Sequence, residues 1–358
     1  MLNSRVIAPS PETIALFRAL NACVGIGSLP HPIGARNARL VTIWRHFVRR
    51  HQDEQSAALI DDMLTTTQCR FEQNIEVLCD CIQQDPAWRT RAIDPDRVVT
   101  PRGPTMVLPT ASLMYWSREH RLLIESTAAL EEWLVHSDVG DDLPCDLVRA
   151  PAGACYIRFG KTFREHVTML PIEATRDAVV QGVYVFDSPR DENRALTLIP
   201  VFEMRDLGLY GASVIELIIN DERRSINDEI AAICSNSALG GHFRSVTEIV
   251  TKVILYLEQA QNVQRRVRNY SDAQQQLQRL GAKKSAKLAR KIPQLYDKIV
   301  VGPTQVMVHA HGGEVSPHLR RGHFRLQPHG PQLSMRKVIF VAPTWVRADR
   351  MVESAPNR

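Results

Sequence analysis

Apolar residues recur with a helical period through the first part of the chain. Leu40, Ile43, Trp44, Phe47 and Val48 fall at i, i+3, i+4, i+7 and i+8, the buried stripe of an amphipathic helix whose outer face carries Arg39, Arg45, Arg49 and Arg50. Upstream, Ser10-Pro11-Glu12 reads as a helix start, and Gly25 and Gly27 end that segment. A longer helix is predicted over about 55–83, with Leu59, Ile60, Met63, Leu64, Phe71, Ile75, Leu78 and Ile82 inward, and Asp85-Pro86 stops it. Residues 91–110 carry Pro95, Pro101, Pro104 and Pro109 without periodicity and read as a loop or extended connector. Helix returns from Thr127 to Val135, with Leu130, Trp133 and Leu134 inward.

Beyond Gly140 the pattern shifts to strand. The runs 154–159, 179–186, 196–204 and 214–220 are rich in Val, Ile, Tyr and Phe at strand length. A turn is read at Ser188-Pro-Arg-Asp-Glu-Asn193, and Gly208 with Gly211 marks another, so a meandering antiparallel sheet of about four strands is expected, without βαβ alternation. Helix resumes over 225–234. A long helix follows from Val246 to about Tyr270, its apolar face Val246, Ile249, Val250, Val253, Ile254 and Leu257 and its far end the basic Gln264-Arg-Arg-Val-Arg268. Residues 271–291 read as an exposed basic helix or tether, with strands after it at 298–301 and 306–309. The whole predicts an α+β protein: a mainly helical region over 1–140, the sheet with its helices over 141–270, and a basic strand-and-loop segment over 271–358, as separate units or as one integrated domain.

Composition adds a charge split. With 44% hydrophobic and 23% charged residues the chain is an ordinary globular one. Residues 1–260 hold 26 Lys and Arg against 34 Asp and Glu, whereas 261–358 hold 18 against 5. Such an imbalance fits either a polyanion footprint or a solvated basic face. Seven cysteines, an odd number scattered through apolar contexts, point to reduced thiols in the cytoplasm, with Cys79 and Cys81 in a core. No signal-peptide pattern or membrane span is expected.

The densest chemistry lies in Ser316-Pro-His-Leu-Arg-Arg-Gly-His-Phe-Arg325, followed by the apolar Val338-Ile-Phe-Val341. Three readings stay open. His318 and His323 can share acid and base roles at a phosphodiester, with arginine stabilising developing phosphorane charge. Alternatively the segment only binds. Arg320, Arg321, Arg325, Lys337 and, upstream, Arg265, Arg266 and Arg268 would grip phosphate, Phe324 and Trp345 would stack on bases, and Gly322 would allow close backbone approach. In the third, Arg320 and Arg321 pair with acids of the body and dock the tail. His309, His311, His318, His323 and His329 match no standard zinc spacing, so no metal is expected, and no cofactor either. Phosphate-loop, dinucleotide, zinc-protease and serine-hydrolase motifs are lacking.

Pro317-His318-Leu319-Arg320-Arg321-Gly322-His323-Phe324, with Gly330, Lys337 and the apolar strand ending at Pro343, resembles the C-terminal signature of the type V anti-CRISPR family that lowers expression of the type V effector nuclease. That pattern is Pro-His-x-Arg-Arg-Gly-His followed by Trp, so Phe324 is a departure. Gly153-Ala-Cys-Tyr-Ile157 and Gly182-Val-Tyr-Val-Phe-Asp187 resemble strands of the same family more loosely. The resemblance implies a cytoplasmic regulatory binding protein of a plasmid, phage or other mobile element. It would recognise the nascent polypeptide of its target during translation and cause loss of the encoding mRNA, with mRNA or ribosome as further partners. Beside it stands the RNA-binding or ribonuclease-like alternative that uses the His/Arg-rich segment.

Overall fold

The computed structural model describes residues 29–50, 104–170, 178–190, 193–204, 209–235, 239–259, 264–304 and 318–346. The expected helices near 10–25 and 55–83 and the strand at 306–309 lie outside them. Among the described residues the chain is α+β, organised on one eight-stranded sheet. Its strands are β1 (Leu122–Ser126), β3 (Ala154–Arg158), β4 (Ala178–Arg190), β5 (Asn193–Met204), β6 (Leu209–Ala212), β7 (Ile215–Ile219), β8 (Gln264–Arg268) and β9 (Asp297–Val301). They run in the order β6-β5-β4-β3-β1-β9-β8, with β7 pairing the other part of β5. A second, three-stranded sheet joins β2 (Ser137–Asp138), β11 (Gly322–His329) and β12 (Met335–Val341), and β10 (His318–Arg320) pairs with β13 (Thr344–Val346).

The large sheet is mixed, not antiparallel as expected. β1 pairs parallel with both β3 and β9, and the remaining pairings are antiparallel. Leu122–Ser126 was not read as a strand because five residues with a short apolar run cannot be told from a helix segment, and its partners lie far away in sequence. Two further readings change. Gln264–Arg268 is a strand rather than a helix end: its Gln and Arg residues favour helix by propensity, and an edge strand tolerates their charge. Gly211 sits inside β6 opposite Phe202, where a Cβ would meet that ring, instead of forming a turn. The turn near 188–193 is tighter than expected, because β4 continues to Arg190 and pairs it with Asn193.

Both faces of the sheet are covered, and the alternation within β4 shows how. Val183 and Val185 face one cluster while Tyr184 and Phe186 face another, all four essentially buried. On the first face lies the helix α7 (Gly240–Gln259), which buries Val246, Ile249, Val250, Val253, Ile254 and Leu257. The stripe falls where the apolar periodicity placed it, and each such side chain contributes about 2 kcal/mol on burial. Beside it pack α4 (Ala128–Val135), α5 (Lys161–His166) and α6 (Ile226–Ser235). Thr127 starts α4 as N-cap, its hydroxyl accepting from Leu130 N at 3.2 Å.

The opposite face holds α1 (His31–Asn37), α2 (Leu40–Arg50) and α3 (Pro104–Ser117). Leu40 and Trp44 are fully buried, as the amphipathic pattern required. The helix α3 replaces the end of the expected connector. It is apolar on all sides, so no periodicity marks it, and Pro109 lies inside it, where a proline removes one backbone hydrogen bond and argues against helix in the sequence. Beyond β8 the exposed basic stretch is helical, forming α8 (Asn269–Leu277) and α9 (Ala282–Ala289).

Two expectations follow from this packing. Phe324 is 1% exposed, with its ring centroid 4.7 Å from that of Phe340. Phe324→Ala should cost about 3–5 kcal/mol in urea unfolding, whereas a base-stacking ring on the surface would cost within about 0.5 kcal/mol. His31, 4% exposed, is held by burial at a pKa of about 4, down from the ordinary 6.5. Its Nδ1 lies 2.8 Å from the Tyr184 hydroxyl. The unfolded chain binds a proton here that the folded chain refuses. Stability should therefore be complete above pH 6.5 and fall by up to about 3 kcal/mol as pH drops to 4, in the difference between wild-type and His31→Asn unfolding curves.

Candidate functional site

Within the basic C-terminal segment, residues 322–341 form a β-ribbon. β11 and β12 pair antiparallel in the register Phe324↔Phe340, Arg325↔Ile339, Leu326↔Val338 and Gln327↔Lys337. Successive side chains alternate between faces. Phe324, Leu326, Val338 and Phe340 turn inward, where Phe340 meets Tyr256 of α7 at 5.5 Å and Trp133 of α4 at 6.3 Å between ring centroids. Arg325 and Lys337 stay exposed. Residues 318–346 contain five cations, Arg320, Arg321, Arg325, Arg336 and Lys337, and no Asp or Glu.

Each expected site residue can be placed. Phe324 is a core residue, so its ring is not available to stack on a base. Gly322 is buried and its close approach is internal: its N–H donates to His136 O at 3.0 Å, and a Cβ would fall 2.4 Å from Ser137 Oγ. That contact seats β11 against β2. Arg321 donates to Asp138 Oδ1 at 3.2 Å, the contact the docking reading needs, but both side chains are largely exposed, at 74% and 57%. Lys252 on α7 lies close by, and its pKa is lowered by burial despite the nearby Glu248 and Asp138. His318 and His323 belong to different ladders, β10 with β13 and β11 with β12. Arg265, Arg266 and Arg268 are exposed on β8, an edge of the large sheet. The cations expected to act together therefore divide among three sheets, with Arg320 on the β10–β13 pair, Arg325 and Lys337 on β11 and β12, and Arg265, Arg266 and Arg268 on the large sheet.

Two clefts went unseen in the sequence. A groove of about 530 Å³ beside β8 is lined by Leu122, Ile124, Ile299, Leu257, Gln264 and Arg266, together with Pro151 and Glu258. Leu122, Ile124, Leu257 and Ile299 supply its apolar lining and Glu258, Gln264 and Arg266 its polar lining, and it borders β8 at the sheet edge. The second, about 460 Å³, opens at the carboxyl ends of the parallel strands β1 and β3 and includes Glu125, Arg158, Lys161 and Arg164. Burial would raise the pKa of Glu125. Hydrogen bonds from Lys298, Arg158 and Tyr296 outweigh burial and hold it below the usual carboxylate range. Arg158 Nη1 also reaches the Tyr296 hydroxyl at 2.7 Å. These residues come from three separated stretches, so no local motif could have announced them.

Glu131 offers a contrast. Burial raises its pKa even though it accepts from Gly160 N at 2.6 Å at the start of α5. Among the described residues no group of His, Cys, Asp or Glu is assembled as metal ligands, and no helix is long and apolar enough to cross a membrane.

The exposure of the Arg321–Asp138 pair sets its energetic role. Arg321→Ala and Asp138→Ala should each change unfolding free energy by no more than about 1 kcal/mol, and less at high salt. A loss of several kcal/mol would make the pair the anchor of the ribbon in place of its apolar side.

No curated protein and no solved structure matches the chain. A family model does: AcrVA2-like, the anti-CRISPR type V subtype A2 family, matches residues 125–348.

Proposed function

Because this chain belongs to the anti-CRISPR type V subtype A2 family, we propose that it silences a type V CRISPR effector at the level of its synthesis. On this reading it recognises the effector's nascent polypeptide during translation and causes loss of the encoding mRNA, acting in the cytoplasm on behalf of a plasmid or phage. The family match carries the proposal. It runs from within β1 to just past β13 and so takes in most of the mixed sheet, the ribbon and the groove residues other than Leu122 and Ile124.

The groove supports a peptide-binding role. A short peptide can lie over the groove with apolar side chains against the half-buried Leu122 and Ile299, while the free edge of β8 beside it offers main-chain hydrogen bonds. Arg265, Arg266 and Arg268 on that edge, with Arg320, Arg325 and Lys337 on the ribbon, would face the phosphate-dense ribosome or message. Catalysis by His318 and His323 gains no comparable support, since the two residues lie on separate ladders.

Transcript measurement in cells that express a type V effector tests this. The effector's mRNA should fall several-fold when the protein is present. A message whose opening codons are frameshifted, with nearly the same nucleotide sequence, should be spared. Ile299→Glu, which places a charge in the groove, should abolish the fall while thermal melting shows the protein still folded. Equal loss of the frameshifted message would overturn peptide recognition.

A further inference from the structure

Strands β8 and β9 are hydrogen-bonded neighbours, yet residues 269–296 intervene between them. This excursion is fastened at both ends. Asp297 accepts from Tyr270 N at 2.9 Å and Ser271 N at 3.0 Å, and the Arg36 guanidinium stacks over Tyr270 at 4.0 Å while donating to Leu295 O at 2.8 Å. Between these anchors α9 packs lightly. None of its residues is buried, and only Ser285 and Leu288 are half-covered.

Its charge is one-sided. Residues 269–296 hold six cations, Arg279, Lys283, Lys284, Lys287, Arg290 and Lys291, against the single acid Asp272, which lies 3.9 Å from Arg268. Among the described residues no carboxylate pairs with any of the six, and all are exposed. Lys283, Lys287 and Arg290 follow at i, i+4 and i+7 and form one stripe turned away from Ser285 and Leu288, while Lys284 and Lys291 flank it on the side of Leu288. Holding so many like charges together costs self-repulsion, which an anionic partner relieves.

The neighbourhood narrows that partner. A membrane-surface helix needs a broad apolar face, but α9 has only Leu288 among large apolar residues. A protein partner would want exposed apolar or aromatic anchors; the large apolar side chains exposed among the described residues are Ile218, Leu333 and Met335, none of them here. What remains is a partner recognised by closely spaced charge alone. We propose that the outer face of α9 is a binding surface for the phosphate backbone of RNA, without sequence preference. The choice of RNA over DNA rests on the translation-linked reading above; the phosphate contact does not.

Titration of the purified full chain with a short mixed-sequence single-stranded RNA tests the surface. The Lys283→Glu/Lys284→Glu/Lys287→Glu variant should bind at least tenfold more weakly at low salt. The slope of log affinity against log salt should flatten by about two, from roughly 0.7 per phosphate contact. A control with the same change in net charge at scattered exposed positions, Arg45→Glu/Arg223→Glu/Arg244→Glu, should bind within about threefold of the unaltered protein, because screened distant charges contribute little. Unchanged RNA affinity in the α9 variant, or an equal loss in the scattered control, would overturn the proposal. So would tighter binding to single-stranded DNA of the same sequence, or binding to vesicles of anionic lipid in place of RNA. The titration contains no translation system, so its failure leaves the effector-transcript result standing, and the reverse also holds.

Discussion

The apolar seam between α7 and the mixed sheet is the interaction on which the rest depends. Val246, Ile249, Val250, Val253 and Ile254 lie in one cluster with Ile157, Val183, Val185, Leu196 and Leu198. Through Tyr256, α7 also meets Phe340 of the ribbon. One helix thus ties the large sheet to the small one. The polar features described above sit around that seam: the basic ribbon at one end, the groove beside β8 near its Leu257, and the basic excursion beyond β8.

This arrangement separates holding from reaching. The ribbon is secured by apolar contacts on its inward side, Phe324 and Leu326 among them, so its outward cations need no structural partner. The excursion is similarly anchored by Asp297 and Arg36, which leaves the lysines of α9 unpaired with any carboxylate among the described residues. A fold that secures its charged elements through contacts that do not use their outward cations can leave that charge available to an outside partner. The groove follows another rule, with Leu122 and Ile299 only half-buried beside an unpaired strand edge.

What could be read in advance follows from the range of each interaction. The amphipathic stripe from Leu40 to Trp44, the helix that follows Thr127 and the inward face of α7 are local patterns, and they fall where the sequence placed them. The parallel pairing of β1 with β3 and β9 was hidden, because it joins residues far apart and leaves no period of its own. Gln264–Arg268 misled because propensity there favours helix while its position beside β9 demands strand. At the candidate site the basic character of 318–337 was plain. The burial of Phe324 was not, since a single aromatic in a charged run looks exposed until its partner Phe340 is placed across the ribbon. The Glu125, Arg158, Tyr296 and Lys298 network could not be read at all, being assembled wholly by tertiary structure.

Family membership and the groove together make co-translational recognition the central claim. It is tested most directly by binding of the purified protein to stalled ribosomes that carry nascent chains of a type V effector, compared with vacant ribosomes. Retention on the nascent-chain complexes, appearing once the opening segment of the effector has emerged and lost when that segment is replaced, is the predicted result. Equal retention on vacant ribosomes, or none on either, would contradict the account.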